Sequence, residues 1–199
     1  MSMRAIIFDF DGTLTKHYLD FDAIRAEIGI ADGPILEAIQ TMTEPDRARA
    51  TDILDRHERD AAEHATLFDG TIEALSELRD MGIPIAIVTR NARRWVTVVL
   101  DRFDIVVDAI RTREDGAIKP SGAPILSICK ELSRDPAASW MIGDFLLDIL
   151  SGQEAGSRTV LMIGDGPRPE FANRADFVIR RLTELAGIIR TSRANNVGD

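Results

Sequence analysis

The first apolar stretch of the chain is short: Ala5 to Phe8 carry no polar residue, and an unbroken run of that length reads as a buried strand. It runs directly into two carboxylates, Asp9 and Asp11, with Gly12, Thr13 and Leu14 behind them. After Thr15 the rhythm is helical for about fifty residues. Two short helices are predicted over 21–30 and 33–42, and a long one over 44–67. In the long one Ile53, Leu54, His57, Ala61 and Ala65 share a face, and Pro45 fits the first turn. From Phe68 strand and helix alternate. The pattern predicts helices over 71–82, 92–103, 122–132, 145–156 and 182–189, and strands over 83–89, 105–110, 139–143, 158–163 and 175–179. The helix 122–132 places Ile125, Ile128, Cys129 and Leu132 at i, i+3, i+4 and i+7. Pro167 and Pro169 keep 164–169 a loop.

Short apolar strands alternating with helices imply an α/β fold, a doubly wound and mainly parallel sheet covered on both faces. Connections after such strands usually take about 2–6 residues, so the helical stretch after the first strand is an insertion with its own task. The expected division is a core of 1–15 and 68–190, a small α-helical cap of 16–67, and a polar, frayed tail of 191–199.

Composition narrows the function. The 199 residues suffice for a sizeable core, and no apolar run approaches the ~20 residues of a membrane-spanning helix. The start lacks the layout of a signal peptide, which makes the cytoplasm the expected location. Cys129 is the single cysteine and sits on an apolar helical face, as core filler does. Net charge is −9, which repels nucleic-acid backbones. The excess is uneven, because Lys16 to Thr66 holds six Lys or Arg against twelve Asp or Glu, and also all three histidines, His17, His57 and His64. Those histidines are expected on the solvated surface, His17 being nearest to the hinge.

Ligands of open parallel sheets bind beyond the carboxyl ends of the strands. The first strand ends in Asp9-x-Asp11, that over 83–89 in Thr89-Arg90-Asn91, and that over 139–143 in Gly143-Asp144 with Asp148 four residues on. Lys119, followed by Pro120, stands just before the helix leading to that last strand. Acids, a hydroxyl and an ammonium therefore face one crevice. The acids at positions 9 and 11 point to one side of an extended chain, so their repulsion needs a cation, a proton or a hydrogen-bond donor. Serine-hydrolase, P-loop and dinucleotide fingerprints are absent.

With "DFDGTLT", "VTRN", "KP" and "GDFLLD" in that order between Arg4 and about Ile163, the chain resembles the haloacid dehalogenase-like superfamily, on its phosphatase branch. The resemblance implies a Rossmann-like core with Asp9 as nucleophile and Asp11 as general acid and base. It implies that Thr89 and Lys119 hold the phosphoryl group, and that Asp9, Asp144 and the backbone carbonyl of Asp11 bind Mg²⁺. Asp148 would support the metal site or Lys119, Gly12 permits the bend and Thr13 fixes it. The implied activity is Mg²⁺-dependent hydrolysis of a small phosphorylated metabolite through an aspartyl-phosphate. A phosphomutase of the same superfamily and a phosphorylation-switched receiver domain are the alternatives, and dehalogenation is disfavoured by Asp11. Relatives often place Asn directly after the motif's Thr or Ser, whereas Arg90 intervenes here, so Asn91 is a phosphate contact less firmly and Arg90 is free to serve substrate or cap. His17, Asp20, Arg25 and Arg90 are the candidate specificity groups.

The physical chemistry gives each role a reason. A carboxylate attacking a phosphate monoester is anion meeting anion, so charge has to be cancelled first, by Mg²⁺ and by the compact ammonium of Lys119. Covalent attachment to Asp9 splits the reaction in two. Asp11 can then protonate the leaving oxygen and later accept the proton of the attacking water.

Overall fold

The computed structural model describes residues 3–194. Its sheet has six parallel strands in the order β3-β2-β1-β4-β5-β6, with β1 Ile6–Phe8, β2 Ile85–Val88, β3 Ala109–Arg111, β4 Trp140–Gly143, β5 Arg158–Met162 and β6 Phe177–Ile179. β1 lies between β2 and β4, with Phe8 beside Ile87 and Ile142. The three central strands therefore end side by side, and their next residues share one crevice.

Strand alternation builds a core on each face. Ile6, Phe8, Ile85, Ile87, Trp140 and Ile142 pack against α4 (Thr71–Asp80), α5 (Arg93–Arg102) and α8 (Leu185–Ala194). Ala5, Ile7, Ala86, Val88 and Met141 face α6 (Ala123–Glu131), whose Ile125, Ile128 and Cys129 are buried. α7 (Leu146–Glu154) follows β4 and buries Ile149 against Leu161. Cys129 is core filler, as its helical face predicts.

Between β1 and α4 lie α1 (Phe21–Ile28), α2 (Ile35–Thr41) and α3 (Asp46–His64), with an apolar cluster of their own: Ile24, Ile28, Ile35, Ile39, Ala50, Ile53 and Leu54. The chain leaves and returns at one place. Lys16 N donates to Thr66 O at 2.8 Å and Phe68 N to Leu14 O at 3.2 Å.

Three details differ from the sequence reading. The strand expected over 105–110 forms only at Ala109–Arg111, because Asp108 turns back to cap β2: its N–H donates to Ile85 O and its carboxylate accepts from Ile85 N. The expected frayed tail is helical as far as Ala194, and 195–199 lie outside the described residues. On α3 the buried face holds Ala50, Ile53, Leu54, Glu58, Ala61 and Ala62, so the predicted face is turned by one residue: Glu58 is buried, and His57, expected on the surface, is partly exposed and pairs with Glu27. No helix among the described residues is long and apolar enough to cross a membrane.

Candidate active site

Asp9 is the first residue past β1, held in line by donation of its N–H to Ile142 O at 2.8 Å. Gly12 makes the following bend with φ +86°, and a Cβ there would lie 2.3 Å from His17 Cε1 and 2.6 Å from Asp144 Oδ2. Both the left-handed backbone and the close approach therefore require glycine. Thr13 Oγ1 donates to Asp144 Oδ1 at 3.2 Å, tying the bend to the end of β4.

The centre is an ammonium between carboxylates. Lys119 Nζ lies 2.5 Å from Asp9 Oδ1 and 2.6 Å from Asp148 Oδ1, with Lys119 only 3 % exposed and Asp148 only 1 %. Asp148 Oδ2 accepts from Phe145 N at 3.0 Å, so both its oxygens are engaged. Burial alone would lower the Lys119 pKa, but Asp148 and Asp9 outweigh it and hold the ammonium above the ordinary lysine range. Burial raises Asp9 well above a normal carboxyl; Lys119 opposes that shift, and Asp148 and Asp144 add to it. Asp144 is pushed up to about 6, first by burial and then by Asp148. The acids thus exceed the positive charge that Lys119 supplies.

That excess bears on a metal. Asp9, Asp144 and Asp148 each offer an oxygen within 4.8 Å of the others, a set of hard donors that suits Mg²⁺. Asp148 is held by short contacts on both oxygens, 2.6 Å from Lys119 Nζ and 3.0 Å from Phe145 N, whereas the Asp144 oxygens have longer contacts, 3.2 Å to Thr13 Oγ1 and 3.5 Å to His17 Nε2.

Thr89 and Asn91 follow β2, and both are buried. Thr89 Oγ1 accepts from Asn91 N at 3.0 Å. The Asn91 amide is occupied at both ends: Nδ2 donates to Asp11 Oδ2 at 2.9 Å and Oδ1 accepts from Ala92 N at 2.6 Å. Asp11 is raised by burial, with Asn91 the first group opposing the shift.

Arg90 reaches two ways. One amino group donates to Lys119 O at 2.5 Å and the other to Glu37 Oε2 on α2 at 2.6 Å. Arg113, after β3, pairs bidentately with Glu58 on α3 and also donates to Arg90 O. Of the other specificity candidates, His17 does reach the site edge, with Nε2 3.5 Å from Asp144 Oδ2. Asp20 caps α1, and Arg25 bonds Asp22 and Gly33 O on the same segment. Glu37, Glu58 and Arg113 escape sequence reasoning, since no local motif marks them.

A model of haloacid dehalogenase-like hydrolases matches residues 3–156. The chain belongs to that family. The match sets aside the receiver-domain alternative and makes the protein a hydrolase. It is 34% identical to an uncharacterised hydrolase of Saccharomyces cerevisiae, over 94% of this chain and 91% of that one. It is 30% identical to an N-acetylmuramic acid 6-phosphate phosphatase of Pseudomonas putida, over 95% and 97%. A hydrolase structure from Pseudomonas syringae superposes with a TM-score of 0.79 at 20% identity, covering 94% of this chain and 98% of that one, and shares its fold.

Proposed function

We propose that this haloacid dehalogenase-like hydrolase is a Mg²⁺-dependent phosphatase that acts on a small phosphate monoester through an aspartyl-phosphate on Asp9. The observation that carries the reading is the pairing of Asp9 at the end of β1 with Lys119 Nζ 2.5 Å away, beside an Asp11 held by Asn91. Relatives named as phosphatases, among them a pyrophosphatase and a phosphoglycolate phosphatase, support the reaction class.

Asp9 and Asp144, with the Asp11 carbonyl, would hold Mg²⁺, whose chemistry there is to offset charge between nucleophile and phosphate. Thr89 and Lys119 bind and orient the phosphoryl oxygens. An Asp9 oxygen forms a bond to phosphorus as the ester P–O bond breaks, and Asp11 gives its proton to the departing oxygen. Water then attacks phosphorus, Asp11 takes a proton from it, and the Asp9 carboxylate leaves with phosphate released. The raised Asp11 pKa suits the acid half of that cycle. Asn91 fixes one Asp11 oxygen and leaves the other for the proton. Residues 16–67 act as a cap over the strand ends, excluding bulk water during both steps.

The deciding experiment measures phosphate release from p-nitrophenyl phosphate by wild type and Asp9→Asn, with Mg²⁺ and with chelator. Turnover is expected only for wild type with Mg²⁺. Undiminished turnover by the variant, with deamidation excluded by mass spectrometry, refutes the covalent mechanism.

A further inference from the structure

Resting on the phosphatase reading, we propose that Arg90 is a positioning residue: it makes the placement of Lys119 depend on the seating of α2, so that the phosphoryl site is complete only when the helical segment is docked. Lys119 stands in the irregular connection 116–122, between a 3₁₀ turn at Arg113–Asp115 and α6, so neither a strand ladder nor a helix fixes its backbone. A turn bond from Ser121 N to Ile118 O at 3.0 Å spans it, and the Lys119 carbonyl accepts from Arg90 at 2.5 Å. The ammonium at the other end of the residue lies between Asp9 and Asp148. The same Arg90 guanidinium donates to Glu37 Oε2 at 2.6 Å, in the first turn of α2.

Residue 90 is held from the helical segment twice. Glu37 takes its side chain, and Arg113, paired with Glu58 of α3, donates to its carbonyl at 3.3 Å. Its neighbours in the chain are Thr89, which meets the phosphoryl oxygens in the proposed reaction, and Asn91, which holds Asp11. A guanidinium is a planar, rigid fork. A shift of Glu37 with α2 therefore either breaks one of the two Arg90 bonds or draws the Lys119 carbonyl with it. A group that meets the reacting atoms tolerates little displacement before the rate falls.

Positioning and charge predict opposite signs for the loss of Glu37. By charge alone, removing an acid from the protein and leaving the Arg90 cation unneutralised favours binding of an anion. If Glu37 instead fixes Arg90 and, through it, the backbone of Lys119, its removal weakens phosphate binding.

The test titrates the full chain with inorganic phosphate by calorimetry in the presence of Mg²⁺, and measures turnover of p-nitrophenyl phosphate beside it. Glu37→Ala is expected to weaken phosphate binding and to lower kcat/KM, each by about fivefold or more. The Glu37 side chain is 41 % exposed, so the fold is expected to survive the substitution. Glu37→Gln, whose amide oxygen still accepts from Arg90, is expected to recover part of the loss. Arg90→Met is expected to lose at least as much as Glu37→Ala, and the double variant no more than Arg90→Met, because Glu37 acts only through Arg90. Phosphate affinity unchanged or raised in Glu37→Ala overturns the proposal, as do losses that add in the double variant or a wild type that binds no phosphate. Should wild type bind phosphate, lose affinity in Glu37→Ala and yet hydrolyse no ester, the phosphatase reading fails and the coupling stands. Hydrolysis by wild type with the same kinetics and phosphate affinity in Glu37→Ala refutes the coupling and leaves the phosphatase reading intact.

Discussion

Replacing Arg113 by Met tests whether α3 is seated by a buried ion pair. Arg113 meets both oxygens of Glu58, the second at 2.8 Å, with side-chain exposures of 17 % and 4 %. A unit pair about 4 Å apart at an effective dielectric near 20 is attracted by about 4 kcal/mol before desolvation is counted. Removing one partner leaves a buried charge uncompensated, a loss of roughly 3–5 kcal/mol. That is a large part of the 5–15 kcal/mol that typically separates folded from unfolded. An exposed pair such as Arg56 with Glu27 is screened by solvent and contributes little, so Arg56→Ala is the control.

The pH dependence has a definite sign. Burial raises the Glu58 pKa and Arg113 is the main group opposing it, so in Arg113→Met the folded pKa rises further above the unfolded value near ~4.3. A carboxyl with a raised folded pKa destabilises the fold when ionised. The deficit is therefore complete above the raised folded pKa and shrinks as pH falls through it. Urea unfolding at pH 8 and pH 5.5, followed by circular dichroism and by Trp95 fluorescence, measures both terms; Trp95 is suitable because its Nε1 bonds Asp55 on α3. The double variant Arg113→Met, Glu58→Leu should recover most of the loss, since an apolar pair can replace a buried ionic one. A wild-type midpoint for Arg113→Met at pH 8, or a double variant no better than the single, would refute the reasoning.

Lys119→Met should abolish phosphate release and weaken binding of inorganic phosphate, because it removes the only ammonium between Asp9 and Asp148 among the described residues; undiminished phosphate affinity by calorimetry would contradict that. Gly143→Ala places a Cβ 2.2 Å from Asp148 Cγ, so Asp148 must shift and release Lys119. A loss of about 1–3 kcal/mol in urea unfolding together with lower turnover is expected, and an unchanged rate would show that the Asp148 position is not needed.

Legibility in the sequence follows the range of each interaction. The strands announce themselves as short apolar runs, and parallel order brings the ends of β1, β2 and β4 together, so the pattern of runs alone points Asp9, Asp11, Thr89 and Asp144 toward one crevice. Lys119 and Asp148 needed only the helices on either side of β4. The contacts of the helical segment depend instead on how α1–α3 sit over the sheet, which no local pattern encodes. Glu37 meets Arg90 across 53 positions and Glu58 meets Arg113 across 55. Glu58 was hidden for a further reason: one step on a helix is 100°, so placing His57 on the inner face turns its neighbour outward, and a charged residue is the less obvious choice for burial.

Arg90, standing between Thr89 and Asn91, ties the turn after β2 to the helical segment. In the order Thr89-Arg90-Asn91, Asn91 N donates back to Thr89 Oγ1 and the Asn91 side chain donates to Asp11 Oδ2. Arg90, one residue earlier, projects toward α2, where a planar fork can serve an acid and a backbone carbonyl at once. Lysine at that position could carry the charge but lacks the fork. The turn after β2 therefore makes two connections: Asn91 fixes the orientation of Asp11, and Arg90 links Glu37 to the carbonyl of Lys119, so the placement of Lys119 depends on where α2 lies.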